Sequence, residues 1–371
     1  MSFELRKLED VCDILDHIRI PITSRDRKDG PYPYYGANGI QDYIDDYIFD
    51  DDLVLLAEDG GNFGSKEKPI AYRISGKTWV NNHAHVLKPK NIIDVDYLCY
   101  SLMYYDVSGL VNGATRQKLT QSEMRKINIR YRSIEKQRQI VFKIKLVSNI
   151  ISSREHQLSN LNLLVKSRFI EMFIQNDAVF PKKKLGECTI INPKKSMDNR
   201  LKDDLIVSFV PMAAVGEDGS INTSDTKTYC EVKNGFTYFI DGDVLFAKIT
   251  PCMENGKGAV ATNLSNGIGF GSTEFHVIRP LEGITNPVWL YTLSVLKEFR
   301  LAAEANMTGS AGQKRTPSSF LQNYEIKLPP IDLQDQFADF VAQVDKSKLA
   351  IQQSLDELET LKKSLMQQYF G

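Results

Sequence analysis

The chain repeats itself, and the repeat limits what it can fold into. Residues 129–140 read IRYRSIEKQRQI and residues 326–337 read IKLPPIDLQDQF, a shift of 197. The same shift carries Lys166-Ser167 onto Lys363-Ser364 and Met172-Phe173 onto Tyr369-Phe370. A gap-free match over about 45 residues implies two related halves. Shorter matches lie upstream. Phe3–Asp10 (FELRKLED) resembles Phe180–Glu187 (FPKKKLGE), and Asp52–Ala57 resembles Asp243–Ala247. His85-Val86-Leu87-Lys88-Pro89 resembles His276-Val277-Ile278-Arg279-Pro280. Gly113–Ser122 (GATRQKLTQS) sits beside Gly309–Ser318 (GSAGQKRTPS), which sets Lys118 against Lys314.

Each half closes with a long helical pattern. From Glu135 to Gln175 there is no Pro or Gly. Ile144, Ile151, Leu158, Val165 and Met172 recur every seven residues, with Ile140, Val147 and Leu161 in a parallel series broken by Arg154. The second pattern runs from about Asp332 to Tyr369, with Phe337, Val344, Ile351, Leu358 and Leu365 in register. Sustained heptads predict a coiled coil. Pro329-Pro330 and a capping Asp332 mark a start, whereas Arg132-Ser133 holds that place in the first half. Such helices are about 57–60 Å long and would leave an apolar stripe exposed without a partner. Two equal helices, each leaving a similar domain, pair most simply antiparallel. The expected architecture is α+β: two mixed α/β domains separated by two long helices, with an internal pseudo-two-fold repeat. The expected boundaries are 1–132, 133–176, 177–328 and 329–371.

The globular halves carry short apolar runs between turn-rich loops, such as Leu53–Ala57, Ala71–Ile74 and Val244–Ala247. Helical patches cover Val95–Tyr105 and Pro287–Ala303. The loops combine glycine, amides, hydroxyls and cations, the groups that reach phosphates and base edges. In the first half the candidates are Tyr35, Gly36, Asn38, Gly39, Asn62, Lys66, Asn81, Asn82, Thr115, Arg116, Gln117 and Lys118. In the second they are Thr250, Asn255, Lys257, Ser272, Thr273, Ser310, Gln313, Lys314 and Arg315. Any one such loop is more often a plain turn; recurrence in both halves is what favours function. Between Thr115 and Lys145 stand ten Lys/Arg and two acids, which reads as a phosphate-facing stripe or a solvated helix face. The acidic run Asp42, Asp45, Asp46, Asp50, Asp51, Asp52 would repel DNA and is expected to face solvent or a basic partner protein.

Net charge is −1, so any nucleic-acid footprint must be local. The start is too charged for a secretory leader, and no apolar run is long enough for a membrane span. Five scattered cysteines without a C-x-x-C pair point to a reducing cytoplasm, not to disulfides or zinc. There is no Walker loop, no dinucleotide fingerprint and no N-P-P-[FY]-type methyltransferase motif. His85 and His276 lack metal-ligand spacing and read equally as structural or DNA-proximal. No catalytic or metal residue is assigned.

These motifs resemble the specificity subunits of type I restriction–modification systems. The resemblance rests on the Phe3–Asp10 opening, Tyr35-Gly36-Ala37-Asn38-Gly39, the Gly-x-x-x-Gln-Lys loops at Gly113 and Gly309, and Ile331-Asp332-Leu333-Gln334-Asp335-Gln336. It implies a non-catalytic subunit whose two target-recognition domains read a bipartite sequence in double-stranded DNA. The helices would act as a ruler. They would dock two methyltransferase subunits that use S-adenosylmethionine and flip an adenine. Restriction and motor subunits using ATP and Mg would join for host defence. The competing expectation is a coiled-coil scaffold whose heads bind ligands other than DNA.

Overall fold

A computed structural model describes residues 3–65, 67–113, 116–175, 179–310 and 312–371. The chain divides into two compact units, residues 1–155 with 352–371, and residues 156–351.

In the first unit the strands of the two four-stranded sheets are β1 (Cys12–Ile14), β2 (Asp29–Gly36), β3 (Gly39–Ile44), β4 (Phe49–Asp50), β5 (Leu53–Ala57), β6 (Ala71–Ile74), β7 (Lys77–Val80) and β8 (Ala84–Pro89). They form an antiparallel sheet in the order β1-β8-β5-β6 and a second sheet in the order β3-β2-β7-β4. In the second sheet β2 and β7 are parallel, with Tyr34 opposite Trp79. Strand β5 explains itself: its five residues are all apolar and all buried. Side chains alternate across a strand. Val54 and Leu56 therefore enter one core, with the helices, while Leu53 and Leu55 enter another, with Phe49 and Val80.

The second unit repeats this plan. The strands of its two four-stranded sheets are β9 (Thr189–Ile191), β10 (Ile206–Val210), β11 (Thr226–Thr228), β12 (Thr237–Ile240), β13 (Val244–Ala247), β14 (Gly258–Val260), β15 (Ile268–Gly271) and β16 (Phe275–Pro280). The sheets run β9-β16-β13-β14 and β11-β10-β15-β12, with β10 and β15 parallel. Every strand number is that of the first unit plus eight. Val244 and Phe246 enter the core that holds the helices; Leu245 and Ala247 enter the other.

Helix α1 (Val95–Met103) lies in the first unit, and α2 (Ile134–Phe173) follows it. Helix α3 (Pro287–Ser294) lies in the second, and α4 (Ile331–Phe370) follows. Asp94 caps α1 by accepting from the Asp96 and Tyr97 amides, and Asn286 caps α3 in the same way, with Pro287 in its first turn. The helical patch expected through Ala303 is broken: extended backbone at Leu296 ends α3 and starts a separate helix, Lys297–Ala305. Helix α4 begins at Ile331, so Asp332 sits inside the first turn and does not cap it.

Within each unit the two long helices run antiparallel. In the first, Ile140, Val141 and Ile144 of α2 share a core with Tyr369 of α4, and Leu365, Met366 and Phe370 pack on it. In the second, Phe169 and Phe173 near the end of α2 meet Phe337 near the start of α4, edge-on at 5.3 and 5.6 Å. Ile144, Phe337 and Val344 are buried; Ile151, Leu158, Val165, Ile351, Leu358 and Leu365 are half-buried. A two-stranded ribbon closes each head, Glu4–Lys7 with Asn128–Tyr131 and Lys182–Lys184 with Glu325–Lys327.

Candidate nucleic-acid interface

In the first unit, four loops converge at one edge of the sheets. Residues 36–39 form a tight hairpin turn in which Gly39 adopts φ +110°, a conformation glycine favours. Asn38 at its tip donates to the Gly60 carbonyl at 2.9 Å. The loop after β5 is bridged to Lys118 and Leu119, since the Leu119 amide donates to the Glu58 carbonyl at 2.7 Å and Asp59 pairs with Lys118 across a β-bridge. His83, in the loop after β7, lies 2.7 Å from Asp59.

The second unit assembles the corresponding loops. The Thr316 amide donates to the Lys248 carbonyl at 2.9 Å, and the Thr250 amide to the Lys314 carbonyl at 3.1 Å. Lys248 also donates its amide to the Glu274 carbonyl, next to Thr273. Lys257 reaches the Met212 carbonyl at 3.2 Å and Asn255 reaches Glu217 at 2.9 Å.

A histidine ties each loop to its sheet. His85 Nε2 meets the Leu119 carbonyl at 2.8 Å while Nδ1 meets Asp16 at 2.6 Å. His276 Nε2 meets the Thr316 carbonyl at 2.8 Å. Both are buried, which makes them structural clamps. Burial pushes the pKa of His276 down.

These matches shift one repeat register. The partner of Thr316 is Leu119, so Lys118 corresponds to Arg315, not to Lys314. A slip of one residue in a strand turns a side chain to the other face. The cations are held by acids that sequence patterns did not single out. Lys118 pairs with Glu58 at 2.9 Å, Arg116 with Asp59 at 2.6 Å, and Arg315 with Glu274 at 2.8 Å. Burial opposes ionisation of Glu58, but the Arg19 and Lys118 bonds outweigh it and hold its pKa low. The Arg315 bond does the same for Glu274. Only the position of each acid, beside an aligned strand end, could have pointed to it.

Asp16, Glu58 and His85 form the one cluster of metal-ligand type among the described residues. Arg19 and Lys118 already neutralise it, so it does not suit a cation.

The candidate residues differ in access. Asn38, Asn82, Arg116, Gln117, Lys118, Asn255, Thr273, Ser310, Gln313 and Lys314 are exposed. Tyr35, Gly39, Asn62, Thr250, Lys257, Ser272 and Arg315 are half-buried. Gly36 is buried, and a side chain there would strike Gln41. Asn81 is buried as well, its amide spent on Gln41 and on the His83 backbone. Lys66 and Thr115 lie outside the described residues. The basic run from Thr115 to Lys145 is not one stripe. Arg125 pairs with Glu9 and Lys145 with Asp96, while Arg132 is buried and donates to the Tyr369 carbonyl at 3.2 Å. The acidic run mostly faces solvent, with Asp42, Asp51 and Asp52 paired to Arg27, Lys88 and Arg73.

Two copies of one α+β head, each with a loop-built polar edge and each joined to a 40-residue helix, define a duplicated recognition protein. The chain belongs to the type I restriction modification DNA specificity domain family, whose model matches residues 2–163 and again 169–360. It is 38% identical over 182 residues to the type I restriction enzyme EcoAI specificity subunit of Escherichia coli, covering 47% of this chain and 30% of that protein. It is 42% identical over 148 residues to the EcoEI specificity subunit of the same species, covering 39% and 24%. The chain thus spans under a third of the length of these two relatives. A putative type I restriction enzyme specificity subunit of Haemophilus influenzae, S.HindORF215P, is 24% identical over 98% of this chain and 89% of its own. The fold is shared with the type I S subunit from M. genitalium, at TM-score 0.57 and 11% identity, covering 100% and 96% of the two chains. It is also shared with a chain from a structure addressing assembly and conformational transition of the type I system, at TM-score 0.55 and 16% identity, covering 100% and 97%. No helix among the described residues is long and apolar enough to cross a membrane.

Proposed function

We propose that this chain is the DNA-specificity subunit of a type I restriction–modification complex in the bacterial cytoplasm. One observation carries the reading. The same loops converge in both heads and offer Asn, Gln, Lys and Arg side chains at a single edge. Residues 1–132 and 177–328 are the target-recognition domains, each reading half of a split site in double-stranded DNA. Residues 133–176 and 329–371 set the gap between the half-sites. The exposed and half-buried candidates named above make the contacts, with Asn and Gln reading base edges and Lys and Arg meeting phosphates.

The chain supplies the address and needs no cofactor of its own. Two methyltransferase subunits bring S-adenosylmethionine, and restriction and motor subunits bring ATP and Mg. Phe142, Leu146 and Ile150 are exposed at a spacing of four on α2 and suit the docking of a methyltransferase subunit.

Co-expression with the methyltransferase subunit, followed by mapping of every modified adenine, tests the reading. A split motif with a fixed gap, methylated on both strands, is expected. No new methylation from an assembled complex would overturn it.

A further inference from the structure

The two heads differ at one equivalent place. Asp16 Oδ1 accepts from the Val86 amide at 2.9 Å, and Asn192 Oδ1 accepts from the Val277 amide at 3.0 Å. Glu58 and Lys248 hold the matching positions after β5 and β13, since each carbonyl takes the amide of Leu119 or Thr316. Arg19 lies three residues beyond Asp16, and Lys195 three beyond Asn192.

In the first head this place is electrically closed. Arg19 meets Glu58 at 2.6 Å and Asp16 at 3.5 Å, and Lys118 meets Glu58 at 2.9 Å. Two carboxylates balance two cations. In the second head both carboxylates are gone. Asn192 and Lys248 replace them, and a cleft of about 280 Å³ opens between Asn192, Lys195, Phe236, Tyr238, Lys248 and Thr273.

None of the residues lining the cleft is acidic. Of the nearby acids, Glu274 is held by Arg315, Asp198 by Arg200 and Tyr238, and Asp243 by Arg279. The Lys195 ammonium donates to the Lys233 carbonyl, which fixes its position without cancelling its charge. Lys248 is half-buried and Thr273 exposed, so a cation and a hydroxyl stand at the mouth. Phe236 gives a flat, 37% exposed wall.

We infer that this cleft binds a phosphate group, and that the first head has no counterpart. Lysine ammoniums are compact point charges suited to phosphate, and here no carboxylate lining the cleft competes for them. The phosphate belongs either to the DNA backbone passing Thr273 or to free phosphate. Only the first source rests on the function proposed above.

The full chain, assembled with its methyltransferase subunit, is compared with Lys248→Gln and Lys248→Glu. The second variant places the first head's acid in the lining that Lys195 shares. Binding of a mixed-sequence duplex is followed across salt concentrations, and binding of inorganic phosphate by phosphorus NMR line broadening. A salt slope lower by about one in Lys248→Gln, and by at least as much in Lys248→Glu, assigns the cleft to a backbone phosphate. An unchanged slope with broadening lost assigns it to free phosphate. Neither change, in variants that melt with the parent, overturns the inference. Failure of the parent to bind any duplex would sink the DNA reading and leave the phosphate titration to decide the cleft.

Discussion

Gln137 and Gln334 make the same three hydrogen bonds in their separate heads. Gln137 accepts from the Asp94 amide at 2.8 Å and donates to the carbonyls of Ile92 and Arg132 at 3.0 and 2.7 Å. Gln334 accepts from the Asn286 amide at 2.9 Å and donates to the carbonyls of Ile284 and Pro329 at 3.0 and 2.8 Å. Both side chains are wholly buried. Each staples a long helix to the N-terminus of the short helix beside it. Replacing either by Ala leaves three backbone groups unsatisfied and should cost about 2–4 kcal/mol. Glutamate cannot donate, so Gln137→Glu should be worse than Gln137→Ala. Urea unfolding of the three variants checks this order.

The helices are expected to act as a spacer. Four residues inserted at the exposed Ser153 make a stutter close to the boundary between the two units. The gap in the methylated motif should change while both half-sites stay the same. Altered half-sites would refute the ruler.

Lys118→Ala and Arg315→Ala should weaken binding across all sequences and lower the salt slope by up to about one each, since Glu58 and Glu274 share the charge of these cations. Lys314→Ala, at the exposed neighbour of Arg315, should act in the same direction. Slopes that match the parent would remove these cations from the interface.

The heads should differ in their response to acid. His276 has its pKa lowered by burial, so the unfolded chain takes up a proton first as pH falls through about 6.5. Stability that the second head holds above that value is then lost. In the first head, Asp16 is held low by His85 against its own burial, and Glu58 is also held low. Their contribution persists until pH falls through the carboxylate range, about 4. Hydrogen exchange at the Val277 amide should therefore accelerate at higher pH than exchange at Val86. His276→Gln should abolish the difference.

Phe142 is 67% exposed on α2. Phe142→Glu should leave the melting temperature within a degree or two, since exposed sites contribute little. Recovery of the complex with the methyltransferase subunit should fall at least tenfold. Unchanged assembly would move docking to another face.

Much of this organisation could be read from residue order alone. Forty residues without Pro or Gly made each long helix legible, and continuous apolar runs marked β5 and β13. The parallel pairing of β2 with β7 was not legible, because it joins segments that local patterns cannot connect. Leu296 interrupts a helical pattern through its backbone, with no Pro or Gly to announce it. Among the interface residues, amides and cations stood out by type. Glu58 and Glu274 did not, since an acid in a loop acquires meaning only from the cation that tertiary structure brings to it. Arg132 read as a surface charge because nothing in its neighbourhood reveals that Tyr97 and Tyr369 enclose it.

The ribbons that close each head carry a further consequence. The segments where the chain comes into a head and where it departs are hydrogen-bonded neighbours, Glu4–Lys7 beside Asn128–Tyr131 and Lys182–Lys184 beside Glu325–Lys327. Adjacent ends let a domain be cut out and another inserted without stretching the remainder. Each head is thus built as a cassette, with both of its ends held side by side at the ribbon. Under the proposed function, n interchangeable heads would give on the order of n² head pairs on the same two helices.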